Sequence, residues 1–151
     1  MTGTELQGQI QRITNDTNTA WSPTQYLEAI NYAITYVSQR RAIANDAEFV
    51  FPLSIVNGQD QPADFIKFAG TNPIEIRDLS TGGRKWYYTG STMPTVKYYR
   101  NRPQLTSLSD TVQLNYKHCE AAKLAAAIYL KEMRGTYDMS KEKERLEVLL
   151  A

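Results

Sequence analysis

The chain has 151 residues, 42% of them hydrophobic and 22% charged, with 17 Lys and Arg against 16 Asp and Glu for a formal net charge of +1. That is enough chain for one domain with a real core, and the balance gives no whole-chain electrostatic case for nucleic-acid binding. The lone Cys119 can form no internal disulfide, no apolar run reaches the roughly 20 residues of a membrane span, and Met1 to Leu6 lacks the basic and apolar regions of a signal peptide. The expectation is a soluble protein made in the cytoplasm, with no membrane partner.

Residues 4–14 predict a short helix with Leu6, Ile10 and Ile13 on one face, followed by a polar, turn-forming stretch over 15–20. A second helix is expected over 23–43. Ser22 is a good N-cap, Pro23 suits the first helical position, Gln25 falls at the capping-box position, and Trp21 and Tyr26 occupy the staple positions. Tyr26, Ile30, Ala33, Ile34 and Val37 then recur at helical spacing, with Arg40 and Arg41 in the last turns where positive charge complements the helix dipole. Asn31 interrupts this pattern. As a tolerated flank residue it needs no partner; the favoured reading is a hydrogen bond to backbone of the sheet region or of a neighbouring subunit.

The middle of the chain is β-rich. Glu48 to Phe51 reads as a short strand stopped by Pro52 and extended by Leu53 to Val56, and Asn57-Gly58 signals a turn. Pro62 to Phe68 reads as a helical turn with Phe65 and Phe68 facing inward. Strands are expected over 74–79, 85–89 and 95–100, the first two joined through Ser80-Thr81-Gly82-Gly83. After a polar loop over 103–110, an alanine-rich helix over about 115–134 is apolar nearly all round, Gly135 is a stop, and a last helix follows over 140–150. The expected fold class is α+β and mainly helical. It is a bundle of about four helices with a small antiparallel β-sheet inserted between the N-terminal and C-terminal helices, the β-rich insertion spanning about 48–102 of a single domain, 1–151.

Catalytic chemistry is thin, and no catalytic, cofactor-binding or metal-ligating residue is nominated. His118 and Cys119 are adjacent on a helix, so their side chains diverge by about 100° and cannot form a dyad. Cys119 reads as a small core residue and His118 as a solvent-facing or helix-end residue. Gly82-Gly83-Arg84-Lys85 lacks the spacing of a phosphate-binding loop and reads as a turn. Over 71–105, Arg77, Arg84, Lys85, Lys97, Arg100 and Arg102 outnumber Glu75 and Asp78, and Trp86, Tyr87, Tyr88, Tyr98 and Tyr99 lie among them. Phosphate contacts and base stacking make a small nucleic-acid-binding module the alternative reading, against a plain solvated sheet face. Ten tyrosines suit an aromatic-rich core or subunit contacts.

Four features occur in a telling order. They are the helix start carried by Trp21, Ser22, Tyr26, Ile30, Asn31 and Ala33; Phe49 and Pro52 followed by Pro62 to Phe65; the stretch Tyr98 to Pro103 closing the strands; and Leu108 to Asp110 before the alanine-rich helix. In this order, over about residues 6–134, the chain resembles the head-to-tail connector or adaptor (head completion, neck) proteins of tailed bacteriophages. The resemblance implies a virion structural protein of the neck, not an enzyme. It would form a ring, usually of twelve copies, below the portal, with portal, tail or nozzle proteins and its own copies as partners and genomic DNA in transient passage. Helical parts make subunit and portal contacts in that family, and Tyr32, Tyr36, Leu146, Leu149 and Leu150 are the candidates here. The Leu146 to Leu150 tail also fits on physical grounds, as a short amphipathic helix with little core of its own. Arg84, Lys85, Lys97 and Arg100 are the candidates to face the channel or DNA.

Overall fold

The computed structural model describes residues 1–17, 20–135 and 138–151, so Asn18 and Thr19 of the expected turn lie outside it. The described chain divides into a helical unit, Met1–Arg41 with Arg102–Ala151, and a sheet unit, Ala42–Asn101. The helices are α1 (Gly3–Thr14), α2 (Pro23–Ile43), α3 (Tyr116–Met133) and α4 (Ser140–Leu150). The strands are β1 (Val50–Ser54), β2 (Gln59–Asp60), β3 (Phe65–Phe68), β4 (Ile74–Asp78), β5 (Arg84–Tyr88) and β6 (Thr95–Arg100).

Both N-terminal helices begin with reciprocal caps. At α1 the Thr2 N–H donates to Glu5 Oε2 at 2.7 Å and the Glu5 N–H to Thr2 Oγ1 at 3.2 Å. At α2 the Ser22 N–H donates to Gln25 Oε1 at 2.8 Å and the Gln25 N–H to Ser22 Oγ at 3.3 Å, while Trp21 meets Tyr26 edge-on with centroids 6.1 Å apart. Each such cap is worth about 1 kcal/mol, which fixes where the helix starts. Tyr26, Ile30, Ala33, Ile34 and Val37 are all buried, as are Leu6 and Ile10 of α1 and Ala121, Ala122, Leu124 to Ala127 and Leu130 of α3.

A polar stripe on α2 holds the loop that precedes α3. Asn31 Nδ2 donates to Leu105 O at 2.9 Å and Asn31 Oδ1 accepts from the Leu105 N–H at 2.8 Å. One and two turns on, Thr35 Oγ1 accepts from Gln104 Nε2 at 3.2 Å and Ser38 Oγ from the Arg102 N–H at 3.0 Å. Asn31 therefore does bond to backbone, but to this loop rather than to a strand. Farther along, the Asp110 carboxylate gathers the Thr106 N–H, the Thr106 hydroxyl and the Ser107 N–H, closing a turn that docks on the start of α1. There the Gly3 N–H donates to Asp110 O at 3.0 Å and the Thr4 N–H to Leu108 O at 2.7 Å.

The β-region corrects the expected architecture. It is not one small sheet inserted in a helical bundle: among the described residues six strands form two three-stranded antiparallel sheets, ordered β1-β6-β3 and β2-β5-β4, and 44% of those residues are helix and 20% strand. The sheet unit has its own core of Ile55, Trp86, Val96 and Tyr98, against which Phe51, Leu53, Phe65, Phe68, Ile74 and Tyr88 pack. Burying aromatic side chains of this size contributes about 1.5–3 kcal/mol each, enough to give the unit a hydrophobic centre. The segment expected as a helical turn is β3. Its register against β6 slips between Phe65 and Lys67, so Phe65 and Phe68 both reach Trp86, at centroid distances of 5.2 and 5.1 Å. In a regular strand residues three apart point to opposite faces; the bulge puts them on one face, as a helix would.

Candidate interaction site on the helical unit

α2, α3 and α4 enclose a groove of about 530 Å³. Tyr32 and Tyr36 lie one turn apart on α2 and stack with centroids 6.1 Å apart; Tyr129 of α3 stacks on Tyr32 at 4.5 Å, making a continuous three-ring wall. Ala125, Ile128, Met133 and Leu146 complete an apolar lining. The rim is ionic but internally balanced. Arg40 makes a two-pronged contact to Glu147, with Nη2 to Oε2 at 2.5 Å and Nη1 to Oε1 at 3.3 Å, and Lys143 pairs with Glu132. The Tyr129 hydroxyl donates to Glu28 Oε1 at 2.9 Å, and that carboxylate raises the phenol's pKa. An apolar floor of large rings with a compensated polar rim is the composition of a protein-contact surface.

The groove brings together Tyr32, Tyr36 and Leu146 of the sequence-derived candidates. Tyr32 is 44% exposed, whereas Tyr36 is half-buried. The C-terminal leucines depart from expectation. Leu146 and Leu150 are only 5% and 3% exposed, and Leu149 is half-buried; of that cluster, Val148 alone is open to solvent. α4 does have a core to rest on, because it packs along α3 and is tied to α2 through Arg40, and Arg41 Nη1 donates to Leu150 O at 3.0 Å. Leu146 and Leu150 are thus occupied within the chain, and within the groove the free apolar surface is on Tyr32 and Met133.

The four cationic candidates lie in the sheet unit and are largely neutralised where they stand. Arg84 Nε is 3.0 Å from Asp78 Oδ1, and Lys85 Nζ is 3.0 Å from Asp60 Oδ1 and 3.2 Å from Gly58 O. Arg100 lies over the Phe51 ring at 3.8 Å, and its Nη1 is 3.8 Å from Asp64 Oδ2. Asp64 also accepts from the Tyr98 hydroxyl at 3.1 Å, and burial together with that carboxylate pushes the phenol's pKa up to about 12. Lys97 is exposed, with no ion pair among the described residues. Three of the four therefore spend much of their field on a carboxylate of their own unit.

Cys119 is buried, its Sγ 3.5 Å from Leu114 O, and burial raises its pKa away from the thiolate. His118 is in the first turn of α3, as a helix-end residue, but is 3% exposed rather than facing solvent. What the sequence reading missed is Tyr129 as the third ring of the wall and the Asn31–Leu105 clamp. The i, i+4, i+7 run of Asn31, Thr35 and Ser38 was a legible signal for the clamp; nothing local marks Tyr129. No protein-family model matches the chain, and no curated protein matches it significantly.

Proposed function

We propose that the protein is a structural component of the tailed-phage neck, a ring-forming head-to-tail connector that docks below the portal and lines the path of the DNA. The observation that carries the reading is the three-tyrosine groove, with its open Tyr32 and Met133, on the unit built from the helices that the family resemblance assigns to subunit and portal contacts. Large rings held at a rigid helix face give contact area at little entropic cost, which suits an interface that must persist under load. The segments that carry the resemblance also have work in this fold: Asn31 holds Leu105, and Leu108 and Asp110 receive the start of α1. The nucleic-acid alternative draws less support, since Arg84, Lys85 and Arg100 already face carboxylates.

The test is assembly on purified portal rings, followed by electron microscopy and sedimentation. Wild-type protein is expected to add a second ring to the portal. Tyr32→Ala is expected to lose that ring while keeping its fold by circular dichroism, at a stability cost of about 1–2 kcal/mol for the lost stacking on Tyr36 and Tyr129. No binding to the cognate portal, or rings indifferent to Tyr32→Ala and Tyr36→Ala together, would refute this assignment.

A further inference from the structure

Among the described residues four strands stand at sheet edges, and three of them carry a device that discourages further pairing. β2 is two residues long. β3 is interrupted by its bulge and carries Lys67. β1 contains Pro52: because the Ile55 N–H bonds Pro94 O, the odd residues of β1 face β6, and proline's missing donor falls on the free side. β4 lacks these, and its charged side chains, Glu75, Arg77 and Asp78, are of both signs and so can pair with a second copy. It is five residues of regular register against β5, without proline, lysine or bulge, and almost all of it is exposed.

The direction of its unpaired groups follows from the ladder. The Thr89 N–H bonds Pro73 O and the Leu79 N–H bonds Gly83 O, which places the hydrogen-bonded pairs at odd residues of β4. The N–H and C=O of Ile76 and of Asp78, and the C=O of Ile74, therefore point away from β5, and no partner for them stands among the described residues. Ile76 is opposite Trp86, on the side of the sheet unit's core, yet is 39% exposed. Glu75 and Arg77 are on the other face, over half exposed, with Arg77 Nε 3.2 Å from Glu75 Oε1 and its guanidinium 4.0 Å above the Tyr87 ring.

We propose that β4 is a self-pairing edge: two copies of the chain join antiparallel through β4 about a two-fold axis at Ile76. The strand is self-complementary in that register. Ile76 meets Ile76 of the second copy, where the outward N–H and C=O of each bond the other's, and the Asp78 N–H finds the free C=O of Ile74. Glu75 stands opposite Arg77 and Arg77 opposite Glu75, at the non-hydrogen-bonded positions where cross-strand side chains come closest. Shifting the register by one residue sets Ile76 opposite a charged residue and turns the apolar faces apart, so the charge pattern and the apolar face select the same alignment. The contact is isologous and closes at two copies, unlike the repeating contact of a ring, and it does not depend on the connector reading.

Sedimentation of the full chain over a dilution series is expected to show a monomer–dimer equilibrium. Glu75→Arg and Arg77→Glu, each placing like charges opposite one another twice per dimer, should each weaken dimerisation by roughly tenfold. Mixing these two variants restores complementary charges across the interface and should recover a heterodimer of wild-type strength, which no folding defect would do. Ile76→Lys should abolish dimerisation, with circular dichroism reporting the fold. Should that variant fail to fold, the two exposed charge reversals still decide the matter. A monomer up to roughly 1 mM, a dimer indifferent to these substitutions, or charge-reversed variants not rescued by mixing would each overturn the proposal. So would an edge that accepts a strand from another protein in preference to its own copy.

Discussion

Replacing Asn31 by leucine tests whether the α2 stripe holds the loop before α3. The substitution keeps the side chain's bulk and slightly improves helix propensity, by about 0.4 kcal/mol, so any loss comes from the clamp. Two hydrogen bonds disappear, those at 2.9 and 2.8 Å to the Leu105 carbonyl and N–H. At about 1 kcal/mol each, plus about 1 kcal/mol for two half-buried backbone groups that water reaches poorly, the gross cost is about 3 kcal/mol and the net cost about 2.5. With an unfolding entropy of about 2.1 cal/mol/K per residue, a chain of 151 residues has about 0.3 kcal/mol/K, so the midpoint should fall by roughly 8 °C. Scanning calorimetry measures this directly. Asn31→Asp keeps one bond and sets an oxygen against the Leu105 carbonyl, so it should also destabilise. A midpoint within about 1 °C of wild type for both variants would refute the reasoning, because the loop would then be held by something else.

Gly3→Ala should destabilise by about 1–3 kcal/mol, although alanine is the better helix former: a Cβ there would lie 2.8 Å from Leu105 Cδ1 and 2.9 Å from Leu108 O, and the backbone oxygen cannot step aside. Urea titration of the variant reads this as a lower midpoint at unchanged slope. The pH dependence is set by carboxylates held below their usual range, among them Asp110, whose pKa is lowered by the Ser107 N–H and the Thr106 hydroxyl and N–H, and Asp138, lowered by the Ser140 hydroxyl and N–H. A depressed folded-state pKa contributes stability that is fully present above the unfolded value near 3.9 and is lost as pH falls through the folded value. Thermal melts of wild type should therefore weaken across that acid window, and Asp110→Asn should melt lower at neutral pH with a flatter acid limb.

Local signals were legible and long-range ones were not. The start of α2 could be read residue by residue, since Ser22, Gln25, Trp21 and Tyr26 act on one another within a single turn. β3 was misread because its bulge restores the i, i+3 facing of Phe65 and Phe68 that sequence patterning associates with a helix. The excess of positive charge over 71–105 shrinks for a related reason. Asp60 is the cross-strand neighbour of Lys85, and Asp64 meets Arg100, so the neutralising acids come from outside that window and appear only once strand register is known. The α4 leucines looked unsupported because their support is α3, which the chain reaches before the last loop, and Arg40 and Arg41, over a hundred residues away.

The chain order of the two units has a consequence for synthesis. The sheet unit is one unbroken segment, Ala42–Asn101, whereas the helical unit is split, Met1–Arg41 waiting for Arg102–Ala151. Residues 102–151 follow the sheet unit, and at roughly 5–20 residues per second they alone take several seconds to add. Over that interval β1 to β6 emerge with all their strand partners already made, while Leu6, Ile10 and the apolar stripe of α2 have yet to meet α3. The segment Arg102–Ala151 must thus close over helices that have stood open, and that window is when a chaperone has most to protect.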